Sequence, residues 1–315
     1  MNLQQLEYII AVERERHFVR AAEKCFVTQA TLSMMVKKLE EELGVQLFDR
    51  SQQPIKPTRE GAEIVELAKN IVSQTKFIKE YARELRDEVS GELRLTVIPT
   101  LAPYLLPLFL RDFHQKFPNL KVHIREMISE DMVVALKRGD ADVGILATPL
   151  NLREIQEYPM FYEEFFPYAS ESENLPRKKY ILPHDINPNH LWLLEEGHCL
   201  RDQLVNFCSL KKAGENDNAV RYEVGSIETL INMVDSNGGI TILPKLATER
   251  LTPLQKEKLR SFALPKPARE VSLITVKDFP RKKMLLHLKE VILAAVQQKV
   301  ITDKLGLNVL ELAET

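Results

Sequence analysis

Between residues 64 and 89 one apolar stripe runs through Ile64, Ala68, Ile71, Thr75, Ile78, Ala82, Leu85 and Val89, spaced alternately four and three. This is a heptad seam kept over more than three heptads, polar only at Thr75, and no other feature constrains the chain as much. A helix packed on its own domain turns a wider apolar face inward than two positions in seven. The seam therefore predicts one long helix paired with a copy of itself, and so at least a homodimer.

The segments on either side of the seam differ in kind. Upstream, the only glycine before Gly61 is Gly44, and the apolar positions follow helical spacing: Leu3, Leu6, Ile9, Ile10 and Val12, then a short helix over 18–25 with Ala21, Ala22 and Cys25 inward. Thr28 is an N-cap before a third helix over 29–43, whose inward stripe is Leu32, Val36, Leu39 and Leu43 and whose C′ residue is Gly44. Three short helices with a tight turn between the second and third make a helix-turn-helix. Pro54 and Pro57, among Arg50, Lys56 and Arg59, then mark a small β-hairpin wing. Downstream, Ser90-Gly91 breaks the long helix, and strands alternate with helices in two sets. The first has strands over 93–97, 121–127 and 142–146 around helices over 103–117 and 129–139. The second has strands over 164–169, 191–194 and 220–224, a helix over 226–236 and GGITILP from Gly238, and the chain ends with a strand over 270–277 and a helix over 281–298. Such alternation predicts parallel sheets in two small α/β lobes with a cleft between them.

Composition removes several classes. With 315 residues, 44% apolar and 28% charged, the chain reads as an ordinary globular protein of about two domains. No apolar run approaches the ~18 residues of a membrane span, and the first residues lack the apolar core of a secretory signal. Three cysteines make no disulfide framework, so a reducing, cytoplasmic location is expected. The net charge of −2 marks no nucleic-acid binder, and residues 1–90 hold 14 Lys and Arg against 15 Asp and Glu. Placement matters more than totals. Thr28, Gln29, Thr31, Ser33, Met34, Lys37 and Lys38 lie on the outer side of the third helix, with hydrogen-bonding groups and a methyl suited to a major-groove edge. Arg50, Lys56 and Arg59 in the wing, with Arg14, Arg16 and Arg20, are placed to meet phosphates.

The segment VTQATLSMMVKKLEEELGVQLFDR, residues 27–50, resembles the helix-turn-helix signature of LysR-type transcriptional regulators. Ala21-Ala22, Thr28-Gln29, Leu32-Ser33, Leu39-Glu40, Leu43-Gly44, Leu47-Phe48 and Arg50 stand where that family's pattern has them, and Thr58 and Gly61 match its wing-to-linker transition. Ala30 departs from the proline many members carry there, which costs some preorganisation only. The resemblance covers the whole chain. It implies a winged helix-turn-helix over 1–58, a dimerising linker helix over 59–90 and a two-lobed effector domain like that of periplasmic binding proteins. One lobe takes residues 91–161 and 267–300, the other takes 162–266 with two cysteines, and a tail follows over 301–315. It further implies a double-stranded DNA operator, a tetramer and contact with RNA polymerase during activation.

Within that family, LLEEGHCLRDQLVNFC (193–208), VIPTLAPYLLP (97–107) and SIETLINMV (226–234) are similar to the peroxide-sensing members. The similarity implies that hydrogen peroxide oxidises Cys199 and that Cys208 resolves the product as an intramolecular disulfide, later reset by a cellular thiol reductant. It assigns His198, Arg201, Asp202 and Thr100 to the peroxide pocket. Ser129 stands where a threonine is usual, and Asn218 replaces a histidine.

The residues themselves support that chemistry. Cys199 opens a helix-like run, where the positive helix end favours a thiolate, and His198 and Arg201 are adjacent cations. Asp202, Thr100 and His198 are placed to supply the proton that the departing hydroxide needs. If the intervening segment is helical, Cys199 and Cys208 stand ~14 Å apart on opposite faces, so a bond between them requires that helix to unwind. Leu200, Leu204, Val205, Phe207 and Leu210 would hold it when reduced. Cys25 reads as a small core side chain, and so do Trp192 and the aromatic run over 161–168. His184, His190, His198, Cys199 and Cys208 match no usual zinc spacing, so neither metal nor cofactor is expected. Two rivals remain: a regulator whose cleft binds a small metabolite, with both cysteines incidental, and a thiol peroxidase, in which a helix-turn-helix would have no use.

Overall fold

The computed structural model describes residues 1–51, 53–84, 89–173, 180–195, 197, 199–208 and 224–310. The chain divides into two units, Met1–Glu88 with Arg138–Asp140, and Val89–Lys137 with Ala141–Thr315.

In the first unit, α1 (Leu3–Glu15), α2 (Phe18–Lys24) and α3 (Gln29–Leu43) pack around Leu6, Ile9, Val12, Ala21, Leu32, Val36 and Leu39, all buried. Thr28 caps α3 through its hydroxyl, which accepts the Thr31 N–H at 3.2 Å, and Gly44 ends it at φ +68°. The wing is an antiparallel pair, β1 (Phe48–Asp49) and β2 (Lys56–Pro57). Helix α4 (Arg59–Glu84) follows, with the Thr58 hydroxyl accepting the Gly61 N–H and donating to the Gln46 carbonyl. Gly61 is required there: a Cβ would come within 2.0 Å of the Leu47 carbonyl oxygen.

The predicted seam on α4 divides. Ala68 is buried and Ile64 packs with Val65 and Val72 in the unit's own core, whereas Ile71 and Ile78 are exposed. At ~100° per residue, Ile71 and Ile78 stand roughly 90° around the helix from the buried line of Val65, Ala68 and Val72, so the predicted stripe lies along the edge of the inner face rather than its centre. Among the described residues, the large apolar side chains of α4 left exposed are Leu67, Ile71, Ile78 and Tyr81, and Ala82 of the seam is exposed as well; Leu85 lies outside the described residues.

The second unit is built on a sheet ordered β4-β3-β5-β10-β6-β8. Its first part, β3 (Gly91–Val97), α5 (Ala102–Lys116), β4 (Leu120–Glu126), α6 (Ser129–Lys137) and β5 (Val143–Thr148), is parallel, with β3 between its two successors. Such an order leaves a crevice at the carboxyl ends of the strands, where the chain turns to opposite sides. The rest of that order is antiparallel, contrary to the expectation of parallel sheets. β6 (Ile155–Ala169) follows β5 with no crossover helix, and β10 (Lys266–Val276) returns between them.

Between β6 and β10 lie β7 (Tyr180–Ile181), α7 (Cys199–Phe207), α8 (Ile227–Asn237), β8 (Ile240–Pro244), the short helices α9 (Lys245–Thr248) and α10 (Pro253–Lys256), and β9 (Ser261–Phe262). The strand expected over 191–194 is reduced to isolated bridges, Leu191 with Ile240 and Leu194 with Val224; residues 220–223 lie outside the described residues. Helix α11 (Lys282–Val296) precedes β11 (Leu307–Val309), which pairs in parallel with the start of β10. Among the described residues no helix is long and apolar enough to cross a membrane.

Candidate functional sites

On the first unit, α3 leaves Thr28, Gln29, Thr31, Met34, Lys37 and Lys38 exposed and Ser33 half-buried. The Thr31 hydroxyl lies 2.8 Å from that of Thr28, so these two side chains are held as a pair. Lys56 is exposed on β2. Arg50 has a partner within the unit: it donates to Glu40 Oε2 at 2.7 Å and lies 5.0 Å from the centre of the Phe18 ring. The other oxygen of Glu40 accepts the Leu47 N–H at 2.9 Å, so Arg50 also braces the root of the wing. A concavity of about 640 Å³ opens here, with Arg16, His17, Arg20, Gln29, Ser33 and Arg50 in its lining.

In the second unit, residues from distant parts of the sequence meet. Ser129 is the first residue of α6, just past β4, and Cys199 is the first residue of α7. Their side chains touch, with Oγ and Sγ 2.6 Å apart, and both are buried. Thr100, in the turn after β3, is reached through Arg269 on β10. The Arg269 guanidinium donates to the Thr100 hydroxyl at 2.9 Å and to its carbonyl at 3.2 Å. On its other side it grips Glu163 on β6, with Nε and Nη2 at 2.8 and 2.7 Å from Oε2. Glu163 Oε1 accepts the Leu246 N–H at the start of α9, at 2.7 Å. Both charged side chains are 0% exposed, and they are directly opposite partners across β6 and β10.

The electrostatics differ from the sequence expectation. Burial pushes the Cys199 thiol above its usual pKa; the Ser129 hydrogen bond opposes this, Asp202 adds to it, and Arg269 opposes it. Among the described residues, the cation whose charge lowers the thiol's pKa is Arg269. Arg201 instead spends a guanidinium hydrogen on the Leu194 carbonyl at 2.9 Å, two residues along a helix turning the side chain ~200° away from Cys199. His198 lies outside the described residues, and so does Asn218. Asp202 is half-buried in the first turn of α7.

Cys208 follows the end of α7, with its N–H on the Leu204 carbonyl at 3.0 Å, and burial raises its thiol to about 11. Both cysteines are free, and α7 is helical between them as expected. Leu200 and Leu204 are buried beneath it, Val205 is half-buried, and Phe207 packs edge-on against Phe262 with ring centres 5.4 Å apart; Leu210 lies outside the described residues. Gln203 is also fully buried, donating to the Leu310 carbonyl at 2.8 Å, while its own oxygen accepts no hydrogen bond among the described residues. Among those residues, no group of three or more His, Cys, Asp and Glu gathers to hold a metal ion.

Sequence reasoning missed Arg269, Glu163 and Gln203. A charge inside each of two apolar strand runs, and a polar residue four positions from Cys199 on the same helix face, were the available signals.

The helix-turn-helix segment matches the family of bacterial regulatory helix-turn-helix proteins, lysR family, over residues 3–62, and the LysR substrate binding domain matches over 86–297. A Dickeya chrysanthemi protein called hydrogen peroxide-inducible genes activator is 33% identical over 92% of this chain and 98% of its own. Full-length OxyR from Pseudomonas aeruginosa superimposes with a TM-score of 0.75 at 31% identity, covering 96% of this chain and 100% of that one. An H2O2-bound OxyR variant from Corynebacterium glutamicum gives a TM-score of 0.60 at 25% identity, over 95% of each chain. With an N-terminal helix-turn-helix, a second unit matching the effector domain and relatives alike over nearly their whole length, this chain belongs to the LysR family of bacterial transcription regulators.

Proposed function

We propose that this regulator responds to hydrogen peroxide through Cys199 and transmits the change to double-stranded DNA. The observation that carries the reading is the Cys199 thiol buried against the Ser129 hydroxyl at 2.6 Å, with the charge of Arg269 opposing part of the burial penalty. The name of the Dickeya relative and the peroxide bound in the Corynebacterium structure support it.

The thiolate of Cys199 attacks one peroxide oxygen, the O–O bond breaks, and hydroxide leaves and takes a proton to become water. Sulfur is oxidised by two electrons to a sulfenic acid. The thiol of Cys208 then displaces that hydroxyl as water and closes a disulfide, and an external thiol reductant returns two electrons and two protons. Because burial keeps the resting thiol protonated, the first step should accelerate as pH rises through the neutral range. The test is intact mass after stoichiometric peroxide. Loss of two hydrogens per chain supports the switch, and an unchanged mass supports a metabolite-sensing regulator. Repeated turnover with a thiol reductant would instead indicate a peroxidase.

Thr28, Gln29, Thr31, Ser33, Met34, Lys37 and Lys38 would read the major groove, with Arg50 and Lys56 on phosphates. Thr31→Ala is expected to remove about 1–3 kcal/mol of discrimination between cognate and mismatched duplexes. Arg50→Ala should weaken binding to all sequences and shallow the salt slope by about one unit. Unaltered affinity and preference in Thr31→Ala would refute the groove assignment. The exposed stripe Leu67, Ile71, Ile78 and Tyr81 supports pairing of two chains, and tetramers would place two such pairs on one operator and present them to RNA polymerase. Sedimentation of the full chain at micromolar concentration as a monomer would overturn that assembly.

A further inference from the structure

We propose that Glu163 is a positioning residue for the Cys199 reaction: it grips the buried Arg269 fork from behind and so fixes the guanidinium on Thr100. The inference rests on the peroxide reading above and extends it to a group with no contact to the thiol among those described.

Arg269 carries five N–H groups in a rigid plane. Glu163 Oε2 takes Nε and Nη2, while Thr100 takes Nη1 on its hydroxyl and Nη2 on its carbonyl. The carboxylate is itself pinned, because its second oxygen holds the Leu246 N–H. It lies directly across the β6–β10 ladder from Arg269, so the backbone sets their spacing. The fully buried cation is thereby held in one orientation on the Thr100 hydroxyl and carbonyl. Thr100, accepting from Arg269, keeps its own hydrogen for a donor role. The consequence is a division of labour. Arg269 offsets part of the burial penalty on the thiol, and Glu163 decides where that cation points, trading some thiolate stability for geometry.

The two effects separate by reagent. Alkylation by iodoacetamide needs only thiolate, whereas peroxide cleavage also needs oriented donors. In full-length reduced protein, Glu163→Gln is expected to slow peroxide consumption by roughly ten- to a hundredfold. Its alkylation profile should shift to lower pH, since the guanidinium has lost its carboxylate and the thiolate becomes its counter-ion. Opposite movements are the signature, because simple loosening of the pocket speeds both reactions and collapse slows both. Glu163→Asp keeps the charge but retracts it by one methylene; it should leave the alkylation profile in place and still slow peroxide. It carries the test if the amide variant fails to fold. The paired variant Glu163→Gln with Arg269→Gln, which buries no unmatched charge, should consume peroxide no more slowly than Arg269→Gln alone. A folded Glu163 variant reacting with peroxide at the wild-type rate, or moving both readouts together, overturns the proposal. Wild-type protein that gains no oxidation from peroxide overturns the function proposed above and this inference with it.

Discussion

Replacing Arg269 with alanine is expected to destabilise the second unit by about 3–5 kcal/mol, one of the largest effects any single substitution in this chain should have. The cost does not come from the worth of the ion pair itself. Both Arg269 and Glu163 are 0% exposed, so removing the cation leaves a carboxylate out of water with, among the described residues, only the Leu246 N–H as a partner. Chemical denaturation of the full chain at neutral pH reads the loss. Replacing the two together, Arg269→Met with Glu163→Leu, should recover most of the lost stability, because an apolar pair leaves nothing buried without a partner. A loss below about 1 kcal/mol in Arg269→Ala would mean that water reaches Glu163 and the pair is not dry.

The part of the molecule legible in the sequence is the part determined locally. Helix α3 announces itself by Thr28 before it and Gly44 after it, and both do in the structure what those residue types do at helix ends. Cys199 reads as reactive from its own segment, Ser129 enters only through the resemblance to peroxide-sensing members, and the structure brings the two into contact across 70 residues. Arg269 and Glu163 are not legible there, because their pairing depends on the register of β6 against β10 between positions 106 apart in the sequence. His198 and Arg201 both read as cations for the thiol because they are close in sequence, but closeness along a helix is not closeness on its surface. Two residues turn a side chain nearly to the opposite face, while four return it, and Gln203 accordingly shares the buried face of Cys199. The seam of α4 shows the same limit: a heptad repeat states that a face is apolar, and only the packing of α1 shows which part of it is already used.

Cys199→Ser should abolish the peroxide response entirely and hold the chain with α7 intact, while Cys208→Ser should still form a sulfenic acid and fail to keep any rearranged state. The reason is the helix. Nine residues at ~1.5 Å each separate the two Cα atoms by ~14 Å, twice the ~7 Å limit for a disulfide, and the two side chains leave opposite faces. Both thiols are free while α7 stands. Cys208 is also a poor nucleophile there, since burial holds it protonated with a pKa of about 11. Unwinding α7 removes both obstacles at once, shortening the distance and exposing the thiol to water.

The cost of that unwinding is the withdrawal of Leu200 and Leu204 from the core, about 3–6 kcal/mol, plus about 1 kcal/mol for the hydrogen bond from Gln203 to the Leu310 carbonyl. At 30 mV per 1.4 kcal/mol, the apolar part alone would make such a disulfide about 60–130 mV more oxidising than an unstrained one, and so open to reset by a thiol reductant. An element with two arrangements this close in free energy is what a switch requires. Limited proteolysis across residues 199–220, most of which lie outside the described residues, should therefore differ between reduced and oxidised wild-type protein. It should be identical in the two samples for Cys199→Ser. Leu204→Ala, which weakens the seating of α7 by about 2–5 kcal/mol, should make the disulfide form faster and resist reduction more strongly. If oxidised and reduced wild-type protein are cut alike, or if Leu204→Ala is reduced more easily than wild type, the helix is not the element that opposes the bond.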